Sequence, residues 1–135
     1  MSRIKIIIVA IFSFILIVSC SFSTSENTLY GKYAPIGYRI TFDTITLKEN
    51  QIYFRKIYNN KKQLVFSTTG KWKLKGNTKI EFENFFENFD RNVERYPELL
   101  SDTLGGVEIL IEQNLGKTSF CFGYFPGENC YEKID

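Results

Sequence analysis

The sequence predicts an all-β domain, built as a strongly curved antiparallel meander or a small up-and-down barrel of about eight strands. Short runs rich in β-branched and aromatic residues alternate apolar with polar positions, which is the period of a half-buried strand. Clusters of Gly, Asn, Asp and Pro separate these runs at short intervals, and few helical patterns interrupt them before residue 88.

Residues 29–33 open the sheet, and Pro35-Ile36-Gly37 interrupts it. Tyr38, Ile40 and Phe42 then alternate with Arg39, Thr41 and Asp43, but beyond Asp43 the apolar positions become Ile45 and Leu47. A one-residue slip exchanges the two faces of a strand, so a continuous strand here needs a bulge near Asp43-Thr44, or else a turn splits it. Glu49-Asn50 turns the chain into residues 52–58, and residues 59–62 turn it again. In the next strand Leu64, Phe66, Thr68, Gly70, Trp72 and Leu74 share one face, with Lys71, Lys73 and Lys75 on the other. Gly70 is expected to let the sheet curve or another backbone approach Trp72. Gly76-Asn77 leads into Ile80 and Phe82, and residues 88–103 read as a long connection with at best one helical turn ended by Pro97. Residues 107–112 return to strand, Asn114-Leu115-Gly116 turns, residues 117–123 run back, and Pro126-Gly127 turns into a last strand over 129–134.

The N-terminus carries an address. Arg3 and Lys5 precede an apolar run of 13 residues, 6–18, broken only by Ser13. A spanning helix needs about 20 apolar residues, so this run has signal-peptide length. Ile17, Val18, Ser19 and then Cys20 match the bacterial lipoprotein signal pattern. That resemblance implies removal of residues 1–19 and acylation of Cys20 as the mature N-terminus. Residues 20–28 then form a polar tether and residues 29–135 the β domain. Ser21 after the cysteine resembles the outer-membrane sorting pattern, which implies a lipid-anchored protein facing the periplasm.

Residues 20–135 suit one domain with one core. They hold equal numbers of basic and acidic residues, so the slight positive charge of the whole chain belongs to the leader. Along the chain the charge is segregated: residues 32–79 carry +9 and residues 81–135 carry −8. If the two halves form neighbouring strands, opposed pairs neutralise much of this across one surface. Otherwise the domain has one basic and one acidic face, able to steer a charged partner.

Histidine is absent, which removes Cys-His and Ser-His nucleophiles and the usual zinc ligands. No metal, cofactor or catalytic residue is expected. Beyond Cys20, the thiols are Cys121 and Cys130. In an oxidising envelope these two form a disulfide. Directly opposed residues in an antiparallel hairpin have a constant sum, so this bond pairs Gly123 with Glu128 and leaves residues 124–127 as the loop.

Residues 81–90 hold four phenylalanines and four acids. Glu81 and Glu83 share one strand face and could in principle act as an acid and base or hold calcium, but a solvated outer face explains them better. Phe85, Phe86 and Phe89 fall where the strand pattern decays, so they either line a binding site at a barrel mouth or plug it. Tyr53, Arg55, Lys56 and Tyr58 resemble a nucleic-acid surface only superficially, and nucleic acid is not an expected partner.

Gly31-Lys32-Tyr33, Ile45-x-Leu47-x-x-Asn50-x-x-Tyr53, Gly70-Lys71-Trp72 and Ile80-x-Phe82 together resemble small lipocalin-like bacterial lipoproteins over residues 29–82. The resemblance implies a lipocalin-like barrel. The expected function is a non-enzymatic, membrane-anchored binding module for a small apolar or amphipathic ligand, with Trp72, Phe82, Phe85 and Phe86 as lining candidates. The alternative is a protein-interaction module, such as an inhibitor, immunity factor or envelope assembly component, using the charged faces and the 88–106 connection.

Overall fold

Tyr33, Ile45, Leu47, Tyr53, Trp72, Ile80, Phe82, Ile109, Phe120 and Tyr131 turn their side chains to one side of a single sheet, and that sheet closes on itself around them. The computed structural model describes residues 24–36, 42–88, 96, 98, 105–122 and 129–135. Eight antiparallel strands form the barrel: β1 (Gly31–Pro35), β2 (Phe42–Lys48), β3 (Ile52–Tyr58), β4 (Leu64–Lys75), β5 (Lys79–Phe82), β6 (Val107–Asn114), β7 (Lys117–Cys121) and β8 (Cys130–Lys133). Each strand pairs with its neighbours in sequence, and β1 pairs with β8 through Tyr33↔Lys133 and Pro35↔Tyr131. Closure leaves no free edge, the feature that an open meander of this composition would otherwise expose. No helix among the described residues is long and apolar enough to cross a membrane.

The phase change expected near Asp43 has a different cause. β2 and β3 pair in unbroken register from Phe42↔Tyr58 to Lys48↔Ile52, with no bulge at Asp43-Thr44. Asp43 itself points inward beside Ile45 and Leu47, at 2% exposure, so a carboxylate occupies a core position. The register shift lies instead between Ile57 and Tyr58 on the β3–β4 side. Residues 37–41, including Tyr38 and Ile40, lie outside the described residues.

One end of the barrel is covered by a single helical turn, α1 (Glu26–Leu29), where a tether was expected. Leu29 is fully buried there, and its carbonyl accepts a hydrogen bond from the Tyr33 hydroxyl at 2.7 Å. Lys133 Nζ donates to the Thr28 carbonyl and Gln51 Nε2 to the Glu26 carboxylate, tying α1 to β8 and to the β2–β3 turn. The opposite end is crossed by residues 83–88, which leave β5 as a strap.

Gly70 allows a close approach, though of a side chain rather than a backbone. It lies directly across from Tyr53, and a Cβ built on it would sit 2.5 Å from the Tyr53 ring. The ring lies flat over this gap and sends its hydroxyl to the Glu83 and Asn84 carbonyls, both at 3.0 Å.

Cys121 and Cys130 are directly opposed on the β7–β8 hairpin, with their sulfurs 2.06 Å apart, at disulfide distance. The pairs Phe120↔Tyr131 and Ser119↔Glu132 share the constant sum expected of that register. Residues 123–128 lie outside the described residues, as do residues 1–23, Cys20 among them.

Candidate functional site

Strand alternation sends one set of β2 and β3 side chains into the core and the other to the outer surface. The outward set forms a groove. Thr44, Thr46 and Lys48 from β2 line it with Phe54, Lys56 and Tyr58 from β3, joined by Lys32 from β1 and Lys62 from the β3–β4 turn. Its volume is about 740 Å³. Phe54 is 43% exposed at its floor, an apolar ring bracketed by ammonium groups and threonine hydroxyls. No carboxylate is among these lining residues.

The rest of the outer surface treats its lysines differently. Lys73 and Lys75 on β4 pair with Glu81 on β5; Lys75 also pairs with Glu108 on β6, which Lys79 reaches at 3.6 Å. Lys117 pairs with Glu132 across β7 and β8. The hydrogen bonds from Lys75 hold the Glu81 and Glu108 carboxyls below their ordinary pKa. Among the described residues, Lys32, Lys48, Lys56 and Lys62 have no such ion pair. Ion pairs thus take up Lys73, Lys75, Lys79 and Lys117 on β4, β5 and β7, whereas among the described residues the four groove lysines of β1 to β3 and the β3–β4 turn, like Lys71 and Lys133, have none.

Trp72, Phe82, Phe85 and Phe86 do not line this groove. Trp72, Phe82 and Phe85 are buried in the barrel, at 1%, 0% and 3% exposure. Phe82 packs at 4.9 Å from Phe85 and 5.2 Å from Tyr53, ring centre to ring centre, and Phe85 stacks on Phe122 at 5.2 Å. Trp72 meets Tyr30 edge-on and donates its indole N–H to the Lys48 carbonyl at 3.3 Å. Phe85 thus packs as a plug beneath the strap, while Phe86 is half-buried and contributes its backbone carbonyl. Phe89 lies outside the described residues.

Under the strap sits a polar cluster that strand patterning alone does not suggest. Arg55, fully buried on β3, donates from Nε to Asp43 Oδ1 at 2.9 Å and from an NH2 group to Oδ2 at 2.6 Å. The Tyr131 hydroxyl donates to the same Oδ2 at 2.6 Å. Arg55 also donates to the Phe86 carbonyl and lies 4.3 Å from the centre of the Phe85 ring. Burial alone would lower the Arg55 pKa, but Asp43 and Tyr131 raise it on balance, so it stays a cation. Burial, then the Asp43 charge, push Tyr131 well above the usual tyrosine range. Four of the five N–H donors of Arg55 are directed at Asp43, Tyr131 and the Phe86 carbonyl, so the cluster ties the strap to the barrel wall. Its only signal in the sequence is the pair of charged residues, Asp43 and Arg55, at inward positions of adjacent strands.

Glu81 and Glu83 do not face each other across a cleft: Glu81 is paired with lysines on the outer surface and Glu83 is exposed beyond the end of β5. Glu112, Cys121 and Cys130 bring ligand-type atoms within 4.8 Å of one another, but the two sulfurs are at disulfide distance and leave no thiolate for a metal. Comparisons of the chain with protein-family models, with curated proteins and with solved structures return no match.

Proposed function

We propose that this chain is a non-enzymatic binding module, held on the bacterial envelope by an acylated Cys20, whose ligand is an anionic amphiphile seated in the outer groove of β1 to β3. The observation that carries this reading is the set of four lysines without carboxylate partners around the exposed Phe54 ring. Ammonium groups and threonine hydroxyls suit a carboxylate or phosphate head, and Phe54 with Tyr58 suits an apolar tail. The volume lies within the roughly 300–1,000 Å³ of small-molecule sites. The lipobox-like run ending at Cys20 and the resemblance of residues 29–82 to lipocalin-like lipoproteins support an envelope address. An outer-membrane position facing the periplasm is part of the same proposal.

A protein-interaction role is the second reading, favoured by the openness of the groove along the side of the barrel. An acidic segment of a partner would use the same lysines.

Native mass spectrometry of the protein extracted from its own membranes separates the two. A small-molecule adduct that is lost on unfolding supports the first reading, and a bound polypeptide supports the second. Lys48→Glu/Lys56→Glu should weaken either complex about tenfold or more, because like charges then face the anion. A bare protein, or a complex indifferent to that substitution, rejects the groove as the site.

A further inference from the structure

We infer that the α1 end of the barrel is a membrane-docking surface, with Leu115 entering the phospholipid leaflet that holds the acylated Cys20. The inference rests on the lipid-anchor reading and adds how the barrel stands on the bilayer.

Leu115 occupies the β6–β7 turn and is 100% exposed, the largest exposure of any apolar side chain in the described residues. It holds φ at +50°, a left-handed conformation that favours Gly or Asn and disfavours a branched side chain. The β4–β5 turn at the same end carries Gly76, Asn77 and Thr78, the polar chemistry that turns ordinarily use. Folding therefore gains nothing from a leucine at this tip. Ile134, 55% exposed just beyond β8, lies at the same end, because β7 begins and β8 finishes there.

The N-terminal chain arrives beside this turn. Gln113 Nε2 donates to Thr24 Oγ1 at 3.5 Å, and Thr24 is 6% exposed, so the chain is fixed to the barrel two residues before Leu115. Thr24 lies four residues after Cys20. Four residues span at most about 14 Å, so an acyl anchor at Cys20 cannot hold the barrel far from the leaflet. The end that must face the lipid is the one where Thr24 is fixed.

The lysines at these strand ends are already engaged: Lys75 and Lys79 pair with Glu108, Lys117 pairs with Glu132, and Lys133 Nζ donates to the Thr28 carbonyl. What this end offers a bilayer, on the side of the anchor, is the apolar surface of Leu115 and Ile134.

The test uses the full chain, acylated in a bacterial host, purified in detergent and reconstituted into phosphatidylethanolamine and phosphatidylglycerol vesicles whose acyl chains are partly brominated. Leu115→Trp places a fluorophore at the turn, and Leu64→Trp places one at an exposed position on the opposite end. Trp72 is buried and contributes the same background to both. Bromine should quench the Leu115→Trp signal by about twofold and leave Leu64→Trp unchanged, since interfacial groups sit within reach of the upper acyl chains. Ile134→Trp repeats the measurement without touching the turn. Equal quenching at the two ends, in protein that floats with the vesicles, overturns the orientation. Protein that does not float with the vesicles overturns the anchor reading and the docking surface with it.

Discussion

Arg55 and Asp43 face each other inside the barrel through two hydrogen bonds, at 2.9 and 2.6 Å, from adjacent strands that also carry Tyr53 and Ile45 into the core. Both are shielded from solvent, at 0% and 2% exposure. Removing the cation alone leaves Asp43 buried with, among the described residues, only Tyr131 and Asn88 to satisfy it. Arg55→Met should therefore cost about 3–5 kcal/mol in urea unfolding, a large fraction of a small domain's stability. Asp43→Leu/Arg55→Met should recover most of it. A double variant as weak as the single one would mean that the strap contacts, rather than the charge pair, dominate.

Gly70 makes room for the Tyr53 ring, so Gly70→Ala forces a methyl group to within 2.5 Å of it. Relief of such overpacking costs typically 1–3 kcal/mol. Displacing Tyr53 also withdraws its hydroxyl from Glu83 and Asn84, so amides of the strap should exchange faster while those of β7 do not. Hydrogen exchange by mass spectrometry reads this directly, and uniform loss of protection would contradict it.

The Cys121–Cys130 bond closes a ring of about ten residues, which the chain-entropy model values at roughly 2.7 kcal/mol. Mild reduction should lower the thermal midpoint by about 11–22 °C, at roughly 4–8 °C per kcal/mol for a domain of about 100 residues. Cys121→Ser/Cys130→Ser should melt with the reduced protein and no longer respond to reductant. An unchanged midpoint would show that the β7–β8 register stands without the bond.

High pH should unfold the protein through its tyrosines. Burial raises the hydroxyls of Tyr33 and Tyr131 well above the ordinary value, and burial, opposed by Arg55 and aided by Glu83, pushes Tyr53 up to about 12. The unfolded chain titrates near 10, so from there upward it binds fewer protons than the folded chain. Stability is therefore full below pH 10 and falls as the pH rises towards 12. Urea midpoints should decline across that window, and tyrosinate absorbance should rise together with unfolding. Absorbance that rises fully before unfolding would mean that these hydroxyls are open to solvent.

Most of the strand order is legible because alternation is a local property: the faces of β4, the register of β7 with β8 and the turns at Gly76-Asn77 and Asn114-Leu115-Gly116 follow from neighbouring residues. Asp43 and Arg55 are illegible for the opposite reason. A charge at an inward position contradicts the binary pattern, and only its partner on the next strand makes that position tolerable. The same contradiction suggested a bulge after Asp43 that the β2–β3 register does not contain. The groove escapes a reading that searches for ligands inside a barrel, because Phe54, Lys56 and Tyr58 become one surface only once β2 lies beside β3. Glu26–Leu29 forms a helical turn rather than a tether because Leu29 finds the barrel end to cover, a contact far from it in sequence.

The pairing of β1 with β8 sets an order of events. Tyr33 and Lys133 are cross-strand neighbours, so the ring closes only when the last strand joins the first. Contacts so distant in sequence are entropically expensive to form early, and until they form β1 and β7 each present an open edge. A chain emerging N-terminus first thus holds an unfinished sheet until β8 arrives, and Cys130 arrives with it. Pairing of the two cysteines and closure of the ring coincide when the last strand joins the first, which makes a chain cut before residue 130 a better template for aggregation than a slightly less stable barrel.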